Sequence, residues 1–253
     1  MFIKSVDYDH SRNYRFITAD KTGVLNMINK EGQLLDGWKS LSTGGELLAS
    51  PRHYRIAAKD YIAVVQSSGK FILFNRRGEL LKGFPADIKG RVRDEYYLEI
   101  DKGRGKTAFV FVTIDGQKVR IDLSGNELNR ETLVKPVFET RFRLITEVSE
   151  KSYVIVRQDN KSLVLLDKSG NEILSNDFVG MDKAEIKFYD FGSGNIYYTI
   201  LDADQDLGYV YNTDGKLITT QPLDCENLKL YWSKSGLNAV ISYEGSVKIS
   251  NLN

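Results

Sequence analysis

The 253-residue sequence is poor in the residues that usually advertise chemistry: one cysteine, two histidines, two tryptophans and four prolines. A lone Cys225 excludes an intrachain disulfide, so cysteine usage leaves the compartment open. It has no adjacent histidine or CxxC partner, and a small buried thiol is expected there. His10 has Asp7 and Asp9 nearby, but a nucleophile–histidine–acid set needs more, and no Gly-x-Ser-x-Gly signature occurs. No sign of charge dominates, with Lys and Arg at 35, Asp and Glu at 34, and a net charge of +1. That balance argues against a surface dedicated to nucleic acid or to an anionic membrane, both of which need excess positive charge. No apolar run approaches transmembrane length, so direct membrane insertion is not expected. The segment from Met1 to Val6 reads as a strand, because it lacks the apolar core and small-residue cleavage site of a signal peptide. No linker or low-complexity tract interrupts the chain, and residues 1–253 read as one domain.

What is present is a repeat. Asn29-Lys-Glu-Gly32-Gln-Leu-Leu returns as Asn75-Arg-Arg-Gly78-Glu-Leu-Leu, Asp122-Leu-Ser-Gly125-Asn-Glu-Leu, Asp167-Lys-Ser-Gly170-Asn-Glu-Ile and Asn212-Thr-Asp-Gly215-Lys-Leu-Ile. The glycines are spaced by 46, 47, 45 and 45 residues. An Asx residue three before a glycine is turn chemistry: the short side chain bonds local backbone, and glycine accepts positive φ. Before each turn stands a short run rich in β-branched and aromatic residues, such as Phe71 to Phe74 or Leu163 to Leu166. These runs are too short for helices, so each phrase is a hairpin.

Two further segments recur upstream of each hairpin. One aligned set contains Tyr14 to Ile17, Tyr61 to Val65, Ala108 to Val112, Tyr153 to Val156, Ile196 to Ile200 and Asn238 to Ile241. The other contains Phe2–Ile3, Leu47–Leu48, Tyr97 to Ile100, Phe142 to Ile145, Ile186 to Phe188 and Leu228 to Leu230. The order is therefore strand a, strand b, strand c, Asx-Gly turn, strand d. Four strands in about 40–50 residues is the signature of a propeller blade. The fold class expected is all-β, a six-bladed β-propeller of four-stranded antiparallel blades. The blades are expected near 1–46, 47–92, 93–139, 140–184, 185–226 and 227–253. The sixth copy has strand c, Gly245 to Asn251, but not strand d. The missing strand is expected just before residue 1, in a longer parent protein.

Gly69 to Phe84, with its Gly, strand, Asx-x-x-Gly and short strand ending in an aromatic, resembles the repeat of quinoprotein-like (PQQ-like) propellers. Gly23 to Trp38 is a second match. The whole chain also looks like the propeller found at the C-terminus of large uncharacterised bacterial proteins. Quinone-dependent members of that superfamily use acidic or amide calcium ligands and often a vicinal cysteine pair. One cysteine and one surviving repeat tryptophan do not match that pattern, so the resemblance implies a cofactor-free scaffold. If the parent is exported, the resemblance implies the cell envelope or periplasm.

Candidate sites are few. Trp38, Phe84 and Phe178 are repeat-matched aromatics in the d–a connections, where variable loops on a rigid scaffold carry binding. They either pack between blades or form an exposed ring of partner anchors. Asp202, Asp204 and Asp206 alternate as hard oxygen donors for Ca²⁺ do, although Leu207 and Thr213 break the EF-hand pattern. The alternative is an acidic hairpin tip. His10 and His53 are both expected near a–b turns, solvated. Lys89, Arg91 and Arg93 are interleaved with Asp94 and Glu95 as an ordinary surface, and Gly103 to Thr107 lacks the gap and helix of a phosphate loop. No catalytic set emerges. The function expected is a non-catalytic, monomeric binding or scaffolding propeller that presents one face to a protein or other macromolecule. The rival is a propeller holding a metal or small molecule in its central channel, as enzymes of this architecture do.

Overall fold

In a computed structural model, the described residues are 1–8, 11–38, 40–93, 96–100, 107–159, 162–177 and 184–252. They contain no helix and form six antiparallel sheets in chain order. The first blade is β1 (Phe2–Val6), β2 (Arg15–Ala19), β3 (Val24–Ile28) and β4 (Leu41–Ser42). The second is β5 (Arg52–Ile56), β6 (Lys59–Val65), β7 (Lys70–Asn75) and β8 (Ala86–Asp87). The third is β9 (Tyr97–Glu99), β10 (Ala108–Val112), β11 (Gln117–Asp122) and β12 (Glu127–Thr132). The fourth is β13 (Arg141–Thr146), β14 (Tyr153–Gln158), β15 (Ser162–Leu166) and β16 (Glu172–Asp177). The fifth is β17 (Ala184–Asp190), β18 (Ile196–Asp202), β19 (Leu207–Asn212) and β20 (Leu223–Asp224). The sixth has three strands, β21 (Asn227–Ser233), β22 (Gly236–Tyr243) and β23 (Ser246–Asn251). This is a six-bladed β-propeller fold with a three-stranded last sheet. The chain divides into two compact units, Met1–Thr132 and Leu133–Asn253, each holding three sheets.

The inner strands are continuous apolar runs because both of their faces are covered. In β10 every residue is buried, and in β14 the run Tyr153 to Val156 is buried. In the first unit, Phe71, Phe109, Phe111 and Tyr96 meet at centroid separations of 4.7–6.1 Å. In the second unit, Val154, Leu165, Ile186, Phe188 and Ile200 form an equivalent core between the fourth and fifth blades.

The five Asx-Gly turns form as their chemistry dictates. The Asn75 side-chain oxygen accepts the N–H groups of Arg77 (2.8 Å) and Glu79 (3.0 Å), and Asp122 does the same for Ser124 and Asn126 (both 2.8 Å). The Gly78 N–H donates to the Asn75 carbonyl at 3.0 Å, with Gly78 at φ +80°. That conformation is why glycine recurs there.

One strand differs from the sequence expectation. Strand a of the second blade is β5, beyond Pro51, and not Leu47–Leu48. Leu47 makes only an isolated bridge to Gln66. Pro51 has no N–H to give to a ladder, so regular pairing with β6 begins after it, at Arg52 opposite Ala63. His53 therefore lies within a strand rather than near a turn.

Candidate functional site

The aromatic positions singled out by the repeat are structural in the first two blades. Leu35-Asp36-Gly37-Trp38 and Leu81-Lys82-Gly83-Phe84 make the same turn: Trp38 N–H reaches the Leu35 carbonyl (3.0 Å), and Phe84 N–H reaches that of Leu81 (3.2 Å). Both rings are 7 % exposed. Phe84 packs edge-on to Phe71 at 5.5 Å. Trp38 lies against Gly78, the turn glycine of the following blade. Of the two arrangements expected, packing between blades is the one seen for these two rings. Phe178 and His10 lie outside the described residues.

Asp202, Asp204 and Asp206 occupy the β18–β19 hairpin. The buried Asp202 carboxylate accepts the N–H groups of Asp204 (3.0 Å) and Gln205 (3.2 Å), so it closes its own turn. Asp204 and Asp206 are exposed. Among the described residues, no three His, Cys, Asp or Glu side chains gather to hold a metal ion. Cys225 is fully buried, and burial first, with Asp206 and Asp224 nearby, pushes its thiol up to about 11.

The densest chemistry lies elsewhere, in the first two blades. Tyr8 follows β1 and is 5 % exposed. Its hydroxyl donates to the Met27 sulfur at 3.5 Å. The guanidinium carbons of Arg15 and Arg76 each lie 5.4 Å from its ring centroid, and the His53 ring meets it edge-on at 5.0 Å. Burial first, with the Asp60 charge added, pushes the Tyr8 hydroxyl up to about 12, although the two arginines pull the other way. Tyr8 is therefore a neutral aromatic platform for two cations.

Asp60 organises the wall beside it. Its carboxylate is only 3 % exposed and takes two partners, His53 Nε2 at 3.1 Å and Arg55 Nη1 at 3.2 Å. Arg55 Nη1 also donates to the Tyr8 carbonyl at 2.8 Å. Burial holds His53 below the usual histidine range despite the Asp60 hydrogen bond, which acts in the opposite direction. Asp60 is thus spent on fixing Arg55 and His53, and does not neutralise the arginines over Tyr8.

Two grooves flank the Arg76–Arg77 turn. One, of about 880 Å³, is bordered by Arg15, Met27, Trp38, Arg76 and Arg77. The other, of about 570 Å³, is bordered by Arg55, Lys59, Arg76, Arg77 and Lys82, with Leu81 and Leu123 as apolar patches. The carboxylates on their walls are Asp36, Asp60 and Glu79, and Glu79 accepts from Asn75 Nδ2 at 2.7 Å. Arg15, Arg76 and Arg77 have no carboxylate partner among the described residues. The Trp38 indole N–H, at the wall of the larger groove, is buried without an acceptor among the described residues. Guanidinium and indole N–H groups of this kind are donors that an anionic oxygen can accept from.

Sequence reasoning missed this cluster because its members are far apart in the chain and only blade pairing joins them. The available signal was Arg76-Arg77 inside an Asx-Gly turn, where the other four turns carry Lys-Glu, Leu-Ser, Lys-Ser and Thr-Asp.

No protein-family model matches the chain, and no curated protein sequence matches it. Solved structures do. The Dos1 propeller aligns with a TM-score of 0.61 at 15% identity, over 94% of this chain and 64% of that one, so this chain spans less than two thirds of it. BBS1N, solved in complex with ARL6DN, aligns with a TM-score of 0.57 at 11% identity, over 98% of this chain and 77% of that one. BamB from Moraxella catarrhalis aligns with a TM-score of 0.49 at 12% identity, over 95% of this chain and 80% of that one. At these identities the likeness of the first two shows the fold alone, a β-propeller.

Proposed function

We propose that this chain is a non-catalytic protein-binding propeller whose arginine-lined grooves in the first two blades take an acidic, extended protein segment. One observation carries the reading: Arg15 and Arg76 are held over the buried Tyr8 ring, with Arg77 beside them and no carboxylate partner for any of the three among the described residues. Arginine holds carboxylates in bidentate pairs, and aromatic and arginine side chains are the usual anchors of protein interfaces. The Leu81 and Leu123 patches of the second groove suit aliphatic side chains spaced between the acidic ones. The network of Tyr8, His53, Arg55 and Asp60 supplies rigidity. It contains no serine, threonine or cysteine that could serve as a nucleophile. A chain of like fold, BBS1N, was solved in complex with ARL6DN, which supports protein binding in general terms.

The two tryptophans make a test simple. Trp232 is 41% exposed and Trp38 is buried, so a Trp232→Phe protein reports on Trp38 alone. Titration with a ten-residue peptide alternating Glu and Leu is expected to give a saturable change in Trp38 emission. In an Arg76→Ala/Arg77→Ala background the affinity is expected to fall at least about tenfold, which corresponds to about 1.4 kcal/mol. Equal affinity in the double variant would overturn the assignment of the surface.

A further inference from the structure

The smaller of the two grooves carries more positive charge than a single carboxylate can match. Five cationic side chains border it, Arg55, Lys59, Arg76, Arg77 and Lys82, against two carboxylates, Asp60 and Glu79. Asp60 is buried and already holds His53 and Arg55. Glu79 accepts the hydrogen bond from Asn75 Nδ2 at 2.7 Å. Lys59, Arg76, Arg77 and Lys82 have no carboxylate partner among the described residues. The larger groove is less positive, with Arg15, Arg76 and Arg77 set against Asp36 and Glu79.

The cations of the smaller groove are presented in two ways. Arg55 and Arg76 are fixed. Arg55 Nη1 donates to Asp60 and to the Tyr8 carbonyl, and the Arg76 guanidinium carbon lies 5.4 Å from the Tyr8 ring centroid. Arg77 stands on a backbone pinned by the Asn75 side-chain oxygen, which accepts its N–H at 2.8 Å. Lys59 and Lys82 are exposed. Guanidiniums are planar forks of fixed donors, whereas ammonium groups are compact charges on flexible stems. Arginines held in place lose little freedom on binding, and the lysines can close on what the arginines hold.

The chemistry of the ligand follows from this set of donors. A glutamate side chain brings one negative charge and two acceptor oxygens. A phosphoserine side chain brings about −1.5 to −2 charges at pH 7 and three strong acceptor oxygens. Tyr61, Leu81 and Leu123, all half-buried, line the same groove of about 570 Å³. Such apolar contacts suit the residues that flank a modified serine in a chain, and a free anion would leave them bare. Arg76 and Arg77 border both grooves, so one extended segment can place a phosphate in the smaller and a carboxylate in the larger.

We infer that the smaller groove is a phosphate subsite, and that the segment it takes carries a phosphorylated serine or threonine. The inference rests on the acidic-segment reading above and names the side chain bound most tightly. Arg76 and Arg77 hold the phosphate oxygens, and Lys59 and Lys82 complete the charge balance.

Calorimetric titration of the wild-type chain compares the Glu-Leu peptide with the same peptide carrying phosphoserine in place of one central glutamate. The phosphopeptide is expected to bind at least about tenfold more tightly at about pH 7.5. That advantage is expected to shrink at about pH 5, because the phosphate loses its second charge near pH 6 while glutamate stays largely ionised. In a Lys59→Ala/Lys82→Ala variant, the advantage is expected to fall at least about threefold while the Glu-Leu peptide binds nearly as before. Binding of the phosphopeptide alone would support the inference and confine the reading to phosphorylated segments. Equal affinity of the wild type for the two peptides would overturn the inference and leave the acidic-segment reading standing, whereas failure of both peptides to bind would overturn both. An advantage that persists undiminished at the lower pH or in the lysine variant would also overturn it. So would inorganic phosphate binding as tightly as the phosphopeptide, which would assign the groove to a free anion. The two peptides are compared on the wild-type protein, so the result does not depend on how the variant folds.

Discussion

Asp60 holds two cationic or potentially cationic groups at once, and its burial sets what each can do. His53 has a folded-state pKa below its ordinary value of about 6.5, with burial the largest cause. As pH falls through that value, the unfolded chain takes up a proton that the folded protein resists. The stability contributed by neutral His53 is therefore present above about pH 6.5 and is lost as pH drops toward the folded-state value. A His53→Gln variant is expected to show a flatter dependence of melting temperature on pH between about 7 and 5 than the wild type. Identical slopes would show that His53 does not titrate differently on folding. Asp60→Asn removes the charge that faces Arg55 and leaves a weaker acceptor in a buried place. Chemical denaturation is expected to show a loss of about 1–3 kcal/mol, and a loss near zero would mean that Arg55 finds equivalent partners.

At the scale of elements, the hairpins were readable and their joints less so. The Asx-Gly turns announced five c–d hairpins because one side chain and one glycine carry the whole conformation. The β5–β6 turn gave no such signal. Ala57 and Ala58 close it with φ values of +47° and +62°, a conformation that Asn-Gly adopts without strain. Replacing the pair with Asn-Gly is expected to stabilise the protein by about 1–2 kcal/mol, read from the shift of the denaturation midpoint. A destabilised variant would mean that the alanine methyl groups contribute more than the strain they cause. The position of strand a in the second blade was equally hidden. Leu47–Leu48 carries the apolar pattern, whereas Arg52 to Ile56 is a polar-looking run that pairs with β6 because its neighbours offer the partners. Trp38 and Phe84 were legible as a matched pair, but their burial depended on the next blade, which no local pattern describes.

For the whole chain, a net charge of +1 hides an uneven distribution. Arg15, Arg55, Arg76 and Arg77 come together in the first unit from three separate stretches of sequence. Average composition is blind to this patch of four guanidiniums. A patch of that size suits one acidic segment, and the interaction should weaken with salt because exposed charges are screened over about 10 Å at 0.1 M ionic strength. The measurement that bears most directly on the proposed function is therefore calorimetric titration of the intact chain with the Glu-Leu peptide at low and high salt, repeated with an Arg15→Ala/Arg76→Ala/Arg77→Ala variant. The account predicts one site whose affinity falls several-fold with salt and is lost in the triple variant. Binding that is indifferent to salt and survives in that variant would contradict it.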